Sequence, residues 1–146
     1  MDASGFYSDI NATGPSIAHI AGEELAAGGV TLKVDGRKLL IAITGEPPGD
    51  LLLARFQEGL ARNLLHPNMR VLVDMRRFFG VVDWQAIAQL RKLAPWGEDS
   101  GHPSRVAYLM KSFEAAILIK ATGALFTRSE HKVFTEQAAA IAWLES

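Results

Sequence analysis

The sequence contains no cysteine, and its four histidines are scattered at positions 19, 66, 102 and 131. The lack of cysteine excludes a disulfide framework, a thiol nucleophile and every metal site built on thiolates. A zinc site needs three or four converging ligands, and the spacing of the histidines puts no two of them on one helix face. We therefore expect no metal and no cofactor, and we interpret the histidines as surface or turn residues.

An excess of one charge and long apolar runs are also missing. Fifteen basic and sixteen acidic residues leave a formal net charge of −1, which gives no long-range attraction to nucleic acid. The apolar runs, such as that at residues 39–43, are far too short to span a membrane. Residues 1–9 contain no basic stretch followed by an apolar one, so no secretory signal is predicted. We expect a cytoplasmic protein with no membrane span and no nucleic-acid partner.

The sequence also lacks the motifs of the common enzyme classes. It has no phosphate-binding P-loop, no glycine-rich dinucleotide fingerprint and no Ser-His-Asp arrangement. Residues 45–49 read GEPPG, and the two prolines remove backbone N–H groups that a phosphate cradle would need. No pattern in the chain therefore predicts a catalytic site.

The 146 residues that are present suffice for one domain with a substantial core. Residues 1–16, with two glycines, one proline and little periodicity, predict a loose N-terminal leader, and residues 17–146 predict a single α/β domain. Asp35-Gly36 predicts a hairpin, and the later alternation of strands and helices indicates a mostly parallel sheet. The predicted strands lie at residues 17–20, 30–34, 38–44, 71–73, 106–110 and 132–134, and helices begin near residues 50, 83, 112 and 135.

Two of these helices have recognisable capping and core residues. Asp50 and Thr135 are the predicted N-caps of the first and the last helix, because their side-chain oxygens accept hydrogen bonds from free backbone N–H groups. The inward face of the last helix is predicted to carry Gln137, Ala140, Ile141 and Leu144.

Two segments resemble one protein family. The segment FTEQAAAIAWL at 134–144 resembles the ending of SpoIIAA-like proteins, where a strand ending in Phe leads to an Ala-rich helix closing in Trp-Leu. The segment VLVDMRRFFG at 71–80 is similar to the family's central strand and the aromatic loop after it. With the order of elements, the resemblance covers residues 30–144. It implies the STAS-like fold: a mixed, mostly parallel sheet of four to five strands with an N-terminal β-hairpin, and about four helices on one side.

The same resemblance implies a regulatory or binding module without catalysis, although a fold does not determine a function. Anti-sigma factor antagonists of this fold carry a phosphoacceptor serine at the start of the helix after the central strand. The present sequence has VDWQA at residues 82–86 in that place, without a hydroxyl group. The resemblance therefore does not extend to a phosphoserine switch.

Polar and aromatic residues follow the central strand. Asp74 ends the apolar run at the edge where open α/β sheets gather their ligands, and two arginines and two phenylalanines come directly after it. For each residue a plainer interpretation stays open: an Asp that caps its own turn, solvated arginines, and aromatic rings that belong to the core. The predicted ligand-binding residues are Asp74, Arg76, Phe78, Phe79, Trp84 and Trp96.

The helix predicted from residue 112 is apolar on more than one face, which is more than a helix covering a sheet requires. Ile117, Leu118 and Ile119 are therefore predicted at a homodimer interface, with burial under the N-terminal leader as the alternative. Three functional hypotheses result. They are a non-enzymatic module that binds a small, partly apolar ligand or a protein partner, a small enzyme with Asp74 as base and Arg76 as anion clamp, and a purely structural homodimerisation domain.

We expect no phosphate on residues 80–90 after incubation with a serine kinase of the anti-sigma type, because this segment has no hydroxyl side chain. Phosphopeptide mass spectrometry measures this directly. Stoichiometric phosphate on Ser100 or Ser104, in the loop that follows, would mean that the switch has moved and would contradict our interpretation.

Overall fold

The computed structural model describes residues 4–8, 14, 16–21, 28–66, 68–79, 84–93, 104–111 and 129–146. Six strands in this part of the chain form one sheet, and four helices accompany it. The strands are β1 (Ala18–Ile20), β2 (Gly28–Asp35), β3 (Lys38–Gly45), β4 (Arg70–Phe78), β5 (Ser104–Leu109) and β6 (Ser129–Phe134). The helices are α1 (Ser4–Ser8), α2 (Gly49–Ala61), α3 (Trp84–Leu93) and α4 (Gln137–Glu145).

The sheet follows the order of the chain, β1-β2-β3-β4-β5-β6. The first three strands are antiparallel, while β3, β4, β5 and β6 run parallel. The predicted α/β class and the mixed, mostly parallel sheet are therefore confirmed. The sheet has six strands and not four to five, because the short segment of β1 pairs with β2, Ala18 opposite Val34.

The predicted hairpin joins β2 and β3, but its two turn residues lie one position later than expected. Asp35 still pairs with Lys38, so the loop consists of Gly36 and Arg37. Gly36 has a φ of 61°, a left-handed conformation that glycine adopts without steric cost. At the other end of the hairpin, a Cβ on Gly28 would lie 2.1 Å from the carbonyl oxygen of Thr44. Glycine is thus required at position 28 by the close backbone contact and is favoured at position 36 by the left-handed conformation.

Helices cover both faces of the sheet, which corrects the expectation that they lie on one side. Alternate residues of β4 point in opposite directions, as in any strand. Val71 and Val73 face the core under α2 and α3, while Leu72 faces a second core under α1 and α4. A strand this apolar needs cover on both sides, since the strand would otherwise expose every second apolar side chain to water.

The segment predicted as a loose leader contains α1, whose Phe6 and Tyr7 are buried against the second face of the sheet. Beneath α1 lies the fully buried side chain of Lys33, whose Nζ donates a hydrogen bond to the carbonyl oxygen of Phe6. The same Nζ lies 4.5 Å from the centre of the Phe6 ring. The Tyr7 hydroxyl in turn donates to the carbonyl oxygen of Arg70 over 2.9 Å. These contacts attach α1 to β2 and β4.

Both predicted side-chain caps are wrong, although their helices form. The N-cap of α2 is Pro48 and that of α4 is Glu136, and neither makes a side-chain capping bond. Asp50 instead lies in the first turn of α2, where a carboxylate interacts favourably with the positive end of the helix dipole. The apolar periodicity is confirmed, with Phe56 buried in α2 and Ala140, Ile141 and Leu144 buried in α4. None of the described helices is long and apolar enough to cross a membrane.

We expect the backbone amides of Leu72 and Val73 to be among the slowest in the chain to exchange with deuterium, because β4 is paired on both sides and covered on both faces. The amides of β1, a three-residue strand, are expected to exchange much faster and serve as the internal comparison. Hydrogen exchange followed by mass spectrometry or NMR measures both. Fast exchange at Leu72 and Val73 would contradict the sheet order.

Candidate functional site at the carboxyl edge of the sheet

Four parallel strands end at the same edge of the sheet. Gly45 at the end of β3 pairs with Phe78 at the end of β4, and Leu109 of β5 pairs with Phe134 of β6. The Met110 N–H continues this pattern by donating to the carbonyl oxygen of Phe134 over 2.9 Å. This carboxyl edge is where parallel α/β sheets usually hold their ligands.

A β-bulge lies in β4 next to this edge. Ala42 pairs with Asp74 and Thr44 pairs with Arg77, so two residues of β4 stand opposite one residue of β3. An extra residue bends the strand, increases its twist and re-aims the side chains that follow. The bulge thus separates the buried part of β4 from its polar and aromatic end.

Asp74 and Arg76 form a two-pronged ion pair at the bulge. Arg76 Nε lies 3.0 Å from Asp74 Oδ1, and Arg76 Nη2 lies 2.9 Å from Asp74 Oδ2. The backbone N–H of Arg76 also donates to Asp74 Oδ1, over 3.1 Å. The carboxylate therefore accepts three hydrogen bonds from one residue. Such a bidentate arrangement is the strongest form of an Arg–carboxylate pair.

The pair changes the acidity of both groups. Partial burial alone would raise the pKa of Asp74, but the hydrogen bonds from Arg76 and the charges of Arg76 and Arg77 outweigh it and hold that pKa below its ordinary value. The side-chain hydrogen bonds that Arg76 donates to Asp74 raise the pKa of Arg76 above its usual value. Asp74 is thus a carboxylate that stays ionised, and the charges of Asp74 and Arg76 compensate each other.

Gln137, the first residue of α4, connects this pair with α1. Its Oε1 lies 3.5 Å from Arg76 Nη2, and its Nε2 donates to the carbonyl oxygen of Tyr7 over 3.2 Å. The sequence predicted Gln137 as a core-facing residue of the last helix, and the side chain is half-buried as expected. Its bridging role was not predicted, because it depends on α1 returning to the sheet from the far end of the chain.

The two aromatic residues at the end of β4 differ in their exposure to solvent. Phe78 is half-buried, whereas Phe79 is 73% exposed and is the one large hydrophobic side chain exposed in the described part of the chain. The Phe79 N–H donates to the carbonyl oxygen of Gly45 over 3.0 Å, so its backbone continues the pairing of β4 with β3. On the β5 side, Lys111 Nζ lies 5.1 Å from the centre of the Phe79 ring. The backbone of Phe79 is thus fixed by its hydrogen bond to β3, while the ring is exposed to solvent.

The remaining predicted residues are less closely connected. Trp84 begins α3, which packs on the face opposite to Asp74 and Arg76, and its side chain lies outside the described residues. Trp96 and the predicted dimer residues at 117–119 also lie outside them. Ser104 is fully buried at the start of β5, where a kinase has no access, and Ser100 lies outside the described residues. Within the described part of the chain, no three His, Cys, Asp or Glu side chains come together as metal ligands.

Comparison with known proteins identifies the family. A family model described as SpoIIAA-like matches residues 40–145, more than half of the chain. The chain belongs to the SpoIIAA-like family. A crystal structure of an uncharacterised protein of the DUF3478 family with a SpoIIAA-like fold, from Shewanella loihica PV-4, is similar with a TM-score of 0.54 and 14% identity, covering 93% of this chain and 99% of that one. No curated protein matches. The family resemblance seen in the sequence is confirmed, and with it the STAS-like fold.

We expect Asp74→Asn to lower the free energy of unfolding by about 1 kcal/mol or less near neutral pH, since the ion pair is partly exposed. The folded-state pKa of Asp74 lies below the ordinary value of 3.8, so its stabilising contribution exists above about pH 4. It is lost as the pH falls through the folded-state value. Urea denaturation of both proteins at a series of pH values measures the difference.

The matched control is Glu58→Gln, which breaks the exposed ion pair with Arg62 on α2, where Nη1 and Oε2 lie 3.3 Å apart. This control is expected to have a smaller effect. A difference in the free energy of unfolding between wild type and Asp74→Asn that persists unchanged in strong acid would show that the carboxylate charge does not stabilise the fold.

Proposed function

We propose that the chain is a non-enzymatic, STAS-type binding module, and that the carboxyl edge of its sheet contacts a protein partner. The single observation that supports this is the 73% exposure of Phe79 at a position where the backbone is held by β3. A large apolar side chain placed in water at a structured edge is typical of an interaction site. We call Arg77, Phe79 and Lys111 the edge surface.

The exposure of Phe79 favours a protein contact over an enclosed pocket for a small apolar ligand. Pockets bury most of the surface of their ligand and of the aromatic rings that line them. Protein interfaces instead use single aromatic residues that are exposed before binding and become covered by the partner. Trp84 and Trp96, predicted beside the two phenylalanines, remain candidates for the same contact.

The ion pair argues against the alternative of a small enzyme. A general base must accept a proton near its working pH, and Asp74 accepts three hydrogen bonds and has a lowered pKa. An anion clamp needs a free guanidinium, and Arg76 has both Nε and Nη2 bonded to Asp74. Saturable turnover abolished by Asp74→Asn would favour the enzyme.

The homodimerisation domain built on residues 117–119 remains a further hypothesis, tested by the dependence of mass on concentration.

Binding through the edge surface is tested by selecting displayed random peptides on the wild-type protein and then measuring the affinity of the enriched peptides for Phe79→Ala. We expect the enriched peptides to lose at least about tenfold in affinity for the variant, as at other aromatic hot spots. Peptides that bind both proteins equally would contradict the proposal.

Phe79→Ala is suitable for the peptide-binding test only if the variant folds, and we expect it to fold. Phe79→Ala should change the free energy of unfolding by no more than about 0.5 kcal/mol, because the ring has few contacts to lose. Phe56→Ala, which truncates a fully buried ring in α2, should cost about 3–5 kcal/mol. Denaturation curves of both variants decide this. A loss of about 3 kcal/mol or more for Phe79→Ala would show that its ring belongs to the core.

A further inference from the structure

We infer that the partner of the edge surface is a protein segment that carries carboxylates beside an aromatic or branched aliphatic residue. This inference rests on the proposed function, and it adds the chemistry of the partner. Three features at the end of β4 support it: the contact of the exposed ring with a cation, the way in which the nearby charges are already paired, and an acidic residue toward β3.

The first feature is the contact between Phe79 and Lys111. Lys111 is exposed directly after β5, and its Nζ lies 5.1 Å from the Phe79 ring centre. Any partner that covers the ring therefore also removes water from this ammonium group. A cation taken out of water is strongly destabilised unless acceptor groups replace the lost hydration, and a carboxylate compensates its charge as well. A partner with a carboxylate at this place therefore fits Lys111 better than one without.

The second feature is the difference between the nearby cations. Arg76 has its anion in Asp74, as described above. Lys111 and Arg77 form no ion pair with any described residue, although Arg77 lies near enough to Asp74 to lower the pKa of that carboxyl. Lys111 beside the exposed ring, and Arg77 two residues before it in the chain, thus have no carboxylate within ion-pair distance in this part of the chain. Complementary charge at such a rim promotes encounter and selects partners.

The third feature is an acidic residue on the β3 side, which favours one orientation of the partner. On the β3 side of the edge, the exposed Glu46 follows Gly45, whose carbonyl oxygen accepts the Phe79 N–H. The residues flanking Phe79 are therefore basic at Lys111, toward β5, and acidic at Glu46, toward β3. A partner with its carboxylates on the β5 side of its aromatic residue fits both halves, because like charges placed together would weaken the contact.

The test uses two displayed peptide libraries that share random apolar and aromatic positions, with Asp or Glu at the charged positions of one and Lys or Arg in the other. Both are selected on the full chain and counter-selected on Phe79→Ala. We expect enrichment from the acidic library. Lys111→Glu should weaken the selected peptides on the order of tenfold, and Glu46→Lys should strengthen them. Raising the salt concentration should weaken them as well.

Lys92→Glu, which reverses an exposed cation on α3, is the matched control and should leave binding unchanged. Lys111→Gln serves if the charge reversal prevents folding, with a smaller expected loss. If neither library gives peptides that depend on Phe79, the proposed function itself is wrong. If basic or uncharged peptides are enriched and depend on Phe79, the edge surface binds a partner but the inference about its charge is overturned.

Discussion

The burial of β4 on both faces is the constraint on which the rest of the molecule depends. Its backbone pairs with β3 and β5, and its successive side chains enter two separate cores. Helices must therefore lie on both sides of the sheet, and water reaches the strand only where it ends. Asp74 and Arg76, the first polar side chains after the apolar run of β4, come at that end, where the β-bulge interrupts the regular register.

The carboxyl edge thus combines a stabilising part and an exposed part. Asp74, Arg76 and Gln137 satisfy one another and link β4 to α4 and α1, so their charges and hydrogen bonds are largely used within the molecule. Phe79 and Lys111 are held beside this network but turn to solvent. A rigid support under an exposed aromatic ring reduces the conformational entropy that binding would cost.

The sequence predicted the parts of the fold that depend on local patterns. Short apolar runs located β3, β4 and β5, and a glycine turn located the hairpin, because period and turn chemistry are local properties. The sequence did not predict that β4 continues to Phe78, since Arg76 and Arg77 interrupt its apolar pattern. The burial of Lys33 under α1 was missed for another reason: its partner, the carbonyl oxygen of Phe6, carries no side-chain signal. The sequence placed Asp74 and Arg76 at the carboxyl end of the central strand, and their role in ligand binding stays a prediction. It did not single out Lys111, because the proximity of Lys111 to Phe79 arises only from the parallel pairing of β4 and β5.

The agreement between sheet order and chain order has a consequence for synthesis on the ribosome. Each strand from β2 to β6 pairs with a neighbour that has already emerged, so the sheet can grow in one direction during translation. The exception is α1, which precedes the sheet in the chain but contacts α4 through the bond from Gln137 to the carbonyl oxygen of Tyr7. The contacts of α1 with β2 and β4 can therefore form early, whereas the second core is completed only after α4 has emerged and packed against α1.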